Sequence, residues 1–380
     1  MLRNYIHNIE DLERLYYSRA GSQLIQKADA PVLTTTTGVY NAVFGAKVWA
    51  NLNLEANAFG VLPKTPWLRS GWRVITARAS ATVTGGVAEN AALPDTLKPT
   101  FLEVSTKPKT VAHNFDVSEV HEFLSTESAD DVVGDLAFMR QYMGQEHKEH
   151  VNKMLLTDVD TLASNSIESL DRVVSTYGEV TNCGITAGDS DIFSIDRDAA
   201  TGWSDAFVSH NSNTDRELTD TLLRTIQQNV LTNGANPDGQ LWFTGYDTFF
   251  KITGLYEPQV RYASIGEKDI SIGVNGVETP KGGAVGLKVS TLYGKPLILS
   301  KNTPQDTISR LYLLDTSNPE GFDIPRLCIK IAKPTQYFEA GMNTGDPFGI
   351  NRLGNEGMYR TMGELICTFF AAQGKIRDLQ

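Results

Sequence analysis

Between residues 67 and 162 the pattern of polar and apolar positions switches from alternation to a helical repeat. Residues 73–114 read RVITARASATVTGGVAENAALPDTLKPTFLEVSTKPKTVAHN, two Thr- and Val-rich runs joined through Gly85, Gly86, Pro94 and Pro99. Val74, Thr76, Arg78, Ser80 and Thr82 alternate with small or apolar neighbours, which predicts a β-hairpin with at most one apolar face. A two-stranded hairpin is marginal in water unless something covers it, so a second chain is its natural partner. Beyond it, Ser125, Thr126, Ser128 and Asp130 offer N-cap oxygens, and apolar residues recur at Val132, Leu136, Met139, Met143, Val151, Met154, Leu155, Val159 and Leu162. This spacing predicts one helix over about 130–163, a rod of roughly 50 Å at ~1.5 Å per residue. A rod of that length braces an elongated body. Gly144 sits inside it, where glycine costs ~1 kcal/mol relative to alanine and eases curvature, so a bend is expected there.

Elsewhere the pattern is coarser. Residues 1–65 carry helical pieces near 9–26 and 40–57, separated by the TTTT run at 34–37. A stretch rich in Ser, Asn, Asp and Gly over 165–215 reads as surface loops. A helix is predicted over 215–232, with Leu218, Leu222, Leu223, Ile226 and Val230 on one side and Asn233-Gly234 as its stop. Strands are predicted at 241–244, 287–291 and 296–300, and again in CIKIA (328–332) and GELICTFFAA (363–372).

Composition narrows the class. The chain has 380 residues, 41% hydrophobic and 21% charged, enough to bury a real core in two or three lobes. No window reaches the ~18 apolar residues of a membrane span, and the first residues are too polar for a secretory signal, which predicts a protein made and used in a cytoplasm without membrane contact. The net charge of -11, with a pI near 5.1, argues against affinity for nucleic acid, since no run of Lys and Arg offers phosphates a basic surface. Cys183, Cys328 and Cys367 are odd in number and widely spaced, as expected of buried free thiols.

Patterns that could carry catalysis each fail on spacing. GDSDIFSIDRD (188–198) is dense in acids but lacks the ligand spacing and the glycine of a calcium loop, so a solvated loop is expected. An unrelated metal-dependent enzyme would need Asp191, Asp196 and Asp198 to bind an ion. His147 and His150, in EHKEH, stand three apart where the zinc-protease helix needs four, and read as surface histidines. KGGAVG (281–286) lacks the Lys-Ser/Thr of a phosphate loop and reads as a turn. No catalytic, cofactor or metal residues are therefore assigned.

An exposed hairpin leading into a long helix, followed by IDRDAATGW (195–203), GANPDGQLWFTGYDTFFKI (234–252), YEPQVRY (256–262), GKPLILSKN (294–302) and QGKIRDL (373–379), resembles the major capsid proteins of tailed viruses with the Hong Kong 97 fold. The resemblance implies an α+β fold: an N-terminal arm (1–65), an E-loop β-hairpin (66–115), a peripheral domain with a spine helix at about 128–164 and a loop insertion (116–215), an axial domain (216–325), and strands returning to the peripheral domain (326–380). It implies self-assembly into hexamers and pentamers of an icosahedral shell around double-stranded DNA held without specific binding. The chain would then belong to the virion and assemble in the host cytoplasm. Because the arm follows Met1 at once, any scaffold is expected to be a separate protein, as are portal and cement or decoration proteins. Arg73, Arg78, Glu89, Lys98, Lys107 and Lys109 are the candidate intersubunit residues. Some relatives link such a lysine covalently to a neighbour's asparagine, but these sit in a polar, Pro-rich context, so non-covalent locking is expected. An encapsulin-type compartment around protein cargo shares the fold and is the alternative.

Overall fold

The computed structural model describes residues 57–77, 89, 98–126, 135–186, 188–260, 290–319, 324–345 and 353–380. The arm helices expected before residue 57, the hairpin tip with Arg78, the beginning of the predicted long helix and the KGGAVG turn lie outside them. In chain order the elements are α1 (Asn57–Val61), β1 (Lys64–Pro66), β2 (Gly71–Ala77), β3 (Thr100–Ser105), β4 (Lys109–Ser118), α2 (Glu119–Thr126), α3 (Asp135–Leu155), α4 (Leu170–Val173), α5 (Tyr177–Asn182), β5 (Phe207–Ser209), α6 (Asp220–Thr232), β6 (Gln240–Thr244), α7 (Tyr246–Val260), β7 (Ser290–Leu292), β8 (Lys295–Leu299), β9 (Leu311–Asp315), β10 (Leu327–Gly341), β11 (Gly354–Cys367) and β12 (Gly374–Ile376). The fold is mixed α+β. It divides into two compact units, one containing residues 111–150 and 333–361, the other residues 55–110, 151–332 and 362–380.

The larger unit is built on a six-stranded sheet of order β5-β12-β9-β6-β8-β7. Its central strands β6 (QLWFT) and β9 (LYLLD) are buried at every position, so they read as continuous apolar runs rather than alternating ones. Helix α6 starts at Asp220, five residues later than the sequence pattern suggested, where the hydroxyl of the N-cap Thr219 accepts the Leu222 N–H at 3.4 Å, and it turns Leu223, Ile226 and Val230 into the core. Its closeness to β12 requires Gly374: a Cβ there would lie 2.7 Å from Val230 Cγ2 and 2.9 Å from Ile226. Strand β12 is thus an inner strand of this sheet, between β5 and β9.

In the smaller unit, Phe115, Val117 and Leu136 form a core with Met139, Met143, Tyr337 and Tyr359 packed against it. Strands β10, β11 and β4 belong to a four-stranded sheet of order β1-β10-β11-β4. In the larger unit β1 pairs in parallel with β10, Lys64 opposite Ile329.

Helix α3 ends at Leu155, eight residues before the periodicity does, and its 21 described residues span roughly 32 Å. The reason lies in residues 157–159. The Thr157 hydroxyl takes the Lys153 carbonyl at 2.9 Å, Asp158 leaves the helical path to meet Arg310 at 2.9 Å, and the Val159 N–H donates to the Asp171 carboxylate at 3.0 Å. Tertiary ion pairing thereby overrides a local helical preference. Val159 is fully buried all the same.

Candidate functional site

The hairpin stem forms as the alternation predicts: β2 and β3 are antiparallel, with Trp72 opposite Val104, Ile75 opposite Phe101, and a bulge between Ile75 and Ala77. Its two ends differ. At the base, Val104 is buried, Trp72 meets the Phe193 ring edge-on at 5.3 Å and the Lys330 ammonium lies 5.6 Å over the indole. Further out, Ile75, Phe101 and Leu102 are 57%, 55% and 41% exposed. Two large apolar side chains facing each other across strands in water leave an unburied patch on one thin ribbon.

The predicted contact residues have divided roles. Arg73 pairs with Glu103 on its own hairpin at 2.8 Å, and both side chains stay solvated. Glu89, Lys98 and Lys107 are exposed. The Lys109 ammonium is engaged within the chain, donating to the Ser164 carbonyl at 2.6 Å. Gly144 lies in the middle of α3, where a Cβ would come 3.2 Å from the Tyr359 ring and hydroxyl. That hydroxyl donates to the Arg140 carbonyl at 2.8 Å, so close packing supplies a reason for the glycine.

The loop over 188–198 is not simply solvated. Ile192, Phe193 and Ile195 are buried, and Arg197 is buried with its guanidinium donating to the carbonyls of Arg172 (2.7 Å), Val173 (3.1 Å), Ser204 (3.1 Å) and Ser190 (3.2 Å). Burial lowers its pKa to about 10. Asp191 accepts the Arg197 N–H and Asp198 those of Ala200 and Thr201, so these carboxylates cap turns. The stretch expected to be surface loop therefore carries α4, α5 and the seat for the hairpin base, because one arginine satisfies the carbonyls a compact loop would otherwise bury unpaired.

His147 likewise departs from expectation: it is wholly buried. Its Nδ1 lies 2.8 Å from Nδ1 of His113, its Nε2 2.7 Å from the Thr361 hydroxyl, and the His113 ring meets His150 edge-on at 4.5 Å. Burial, with the neighbouring His113 and His150, pushes its pKa down to about 4, so it is neutral at pH 7.

A buried charge network surrounds the C-terminal strand. Lys375 bridges Asp171 at 2.9 Å and Glu179 at 2.7 Å, Arg377 meets Glu179 at 2.7 Å, and Arg310 reaches Asp171, Asp158 and Asp306 at 2.7–2.9 Å. The Tyr312 hydroxyl donates to Asp171 at 2.7 Å. Burial would raise Asp171, but Arg310 and Lys375 outweigh it and hold the carboxyl far below its usual range, whereas burial and Asp171 push Asp158 up to about 6. Removing one member of such a network leaves an uncompensated charge, at about 3–5 kcal/mol. In sequence these residues are scattered singly, and Lys375 and Arg377 simply flank Ile376. A lysine at a strand position beside apolar neighbours was the one available signal.

The three cysteines are free and buried. Among the described residues no helix is long and apolar enough to cross a membrane.

No protein-family model matches the sequence, and no curated protein matches it. Solved structures do. The capsid asymmetric unit of cyanophage A-1(L) matches with a TM-score of 0.61 at 14% identity, covering 87% of this chain and 95% of that one. The capsid of the native GTA particle matches at 0.51 and 11% identity, covering 95% and 97%. A chain of Microbacterium phage Oxtober96 matches at 0.50 and 13%, covering 88% and 95%. The chain therefore has the α+β fold of phage capsid proteins.

Proposed function

We propose that this chain is a major capsid protein of a tailed virus, with the Hong Kong 97 architecture, and that it assembles into hexamers and pentamers of an icosahedral shell enclosing double-stranded DNA. Its role is structural rather than catalytic, and its place is the virion, after assembly in the host cytoplasm. The observation that carries this reading is the hairpin: anchored at Trp72 and Val104, it leaves Ile75, Phe101 and Leu102 to solvent on a ribbon with unpaired edges. A second copy is the cover such a ribbon needs, and in this reading Arg73, Arg78, Glu89, Lys98 and Lys107 are the residues that answer a neighbour's charges. At ~25 cal/mol per Å², a few hundred Å² of apolar area per copy gives several kcal/mol before association costs. Closure of the shell multiplies a contact that is weak alone. Scaffold, portal and cement proteins are the further partners in this reading, and flexing of α3 at Gly144 is its conformational element.

Replacing residues 75–101 by a short turn retains the Trp72–Val104 base and should yield folded subunits that form no particles. Particles of normal size and heat resistance from that variant, seen by negative stain and light scattering, would refute the reading. Nuclease-resistant DNA in particles of the intact protein distinguishes a genome container from a shell around protein cargo.

A further inference from the structure

We propose that Cys183, His210 and Asp378 form a binding site for one zinc-class divalent cation that fastens the end of the chain to the loop after β5. Among the described residues, one ligand atom from each of the three lies within 4.8 Å of the others. They come from separate segments brought together by the sheet. Cys183 closes α5, while the parallel pairing of β5 with β12 sets Ser209 opposite Ile376 and so carries His210 and Asp378 past the same end of the two strands. Cys183 and Asp378 are buried and His210 is half-buried. An ion would therefore have inner ligands, a route from solvent, and a fourth position for water.

The donor set selects the ion. A thiolate sulfur, an imidazole nitrogen and a carboxylate oxygen are the three ligand types zinc uses, whereas magnesium and calcium take oxygen. Tetrahedral zinc, with bonds of ~2.0–2.3 Å, needs these ligand atoms roughly 3.3–3.7 Å apart, so side-chain adjustments of about 1 Å close the site. The carboxylate is already oriented. One Asp378 oxygen accepts the Asn211 N–H at 2.6 Å and the Asn213 N–H at 3.1 Å, and the other accepts from Arg377 Nε at 2.9 Å, which leaves that oxygen a free lone pair. Arg377 and Arg216 are the charges that oppose a cation here; Glu179 pairs with Arg377 at 2.7 Å, and Arg216 is drawn off onto the Ser209 carbonyl at 2.7 Å. Zinc takes cysteine as the thiolate, so binding must release the thiol proton.

Cadmium reports the site directly, because a cadmium–thiolate bond gives an ultraviolet charge-transfer band. Full-length protein, stripped with chelator under reducing conditions and titrated with cadmium, is expected to develop that band at one ion per chain. Zinc should compete it away, raise the thermal midpoint and release about one proton per ion. Cys183→Ser should abolish the band and His210→Ala should weaken cadmium at least tenfold, while the double variant Cys328→Ser/Cys367→Ser should keep it. Absence of the band, its survival in Cys183→Ser, or a zinc response unchanged in His210→Ala would each overturn the site. The half-buried His210 serves as the control should Cys183→Ser misfold. None of these outcomes depends on whether the subunits assemble.

Discussion

Glu364 permits a prediction in which the sign and size both follow from its surroundings. It lies in β11, wholly buried; one carboxyl oxygen accepts the N–H groups of Glu168 (2.6 Å) and Leu365 (3.1 Å), and the other has no hydrogen-bond partner. Burial, reinforced by the Glu168 carboxyl, pushes its pKa up to about 8 from the ordinary 4.5. Between those two values the folded chain holds a proton that the unfolded chain has lost. Stability from this group is thus fully present below pH 4.5 and drains away as pH rises through 8. The whole shift corresponds to about 5 kcal/mol, of which about 4 kcal/mol is lost between pH 5 and pH 9. Glu364→Gln keeps the acceptor oxygen and the volume but cannot ionise. Urea unfolding of unassembled subunits at pH 5, 7 and 9 should show the variant gaining on the native protein by about 1 kcal/mol between pH 7 and pH 9 and by about 4 kcal/mol over the full interval. Parallel profiles for the two proteins would refute the reasoning, since they would mean that Glu364 ionises as easily folded as unfolded. An equal gain at every pH would assign the effect to packing instead.

Arg197→Met fills the arginine's apolar volume but strands four backbone carbonyls, so the urea midpoint should fall by an amount worth about 3 kcal/mol or more; a loss under 1 kcal/mol would show that water replaces the guanidinium. Gly144→Ala places a methyl 3.2 Å from the Tyr359 ring and strains its bond to the Arg140 carbonyl, for a net destabilisation of about 1 kcal/mol in thermal unfolding. A gain in stability would mean helix propensity dominates, and changed particle curvature would favour flexing at this position. His147, with its pKa lowered to about 4, should leave stability intact above its ordinary value near 6.5 and drain it by up to about 3 kcal/mol on acidification through 4. Following the ring protons by NMR checks this, and an apparent pKa near 6.5 would contradict it.

Local patterning alone determined much of the chain. Alternation over 71–77 and 100–105 is a strand pair, the apolar stripe Leu223, Ile226, Val230 is a helix face, LWFT is a buried strand and CIKIA a strand buried over its first three residues, because side-chain period and burial are the same fact seen twice. What periodicity could not carry was anything decided by a partner distant in sequence. Helix α3 stops at Leu155 because Asp158 answers to Arg310, more than a hundred residues on, although Val159 and Leu162 continue the apolar rhythm. Lys375 is a core residue only because Asp171 and Glu179 meet it across the fold, and His147 is buried only because β4 and β11 bring His113 and Thr361 against it. The acid-rich loop around Arg197 looks solvated until its carbonyls are seen to converge on one guanidinium. A charged side chain follows no period when it is paired, since its burial depends on where its counter-charge lies rather than on its neighbours in the chain.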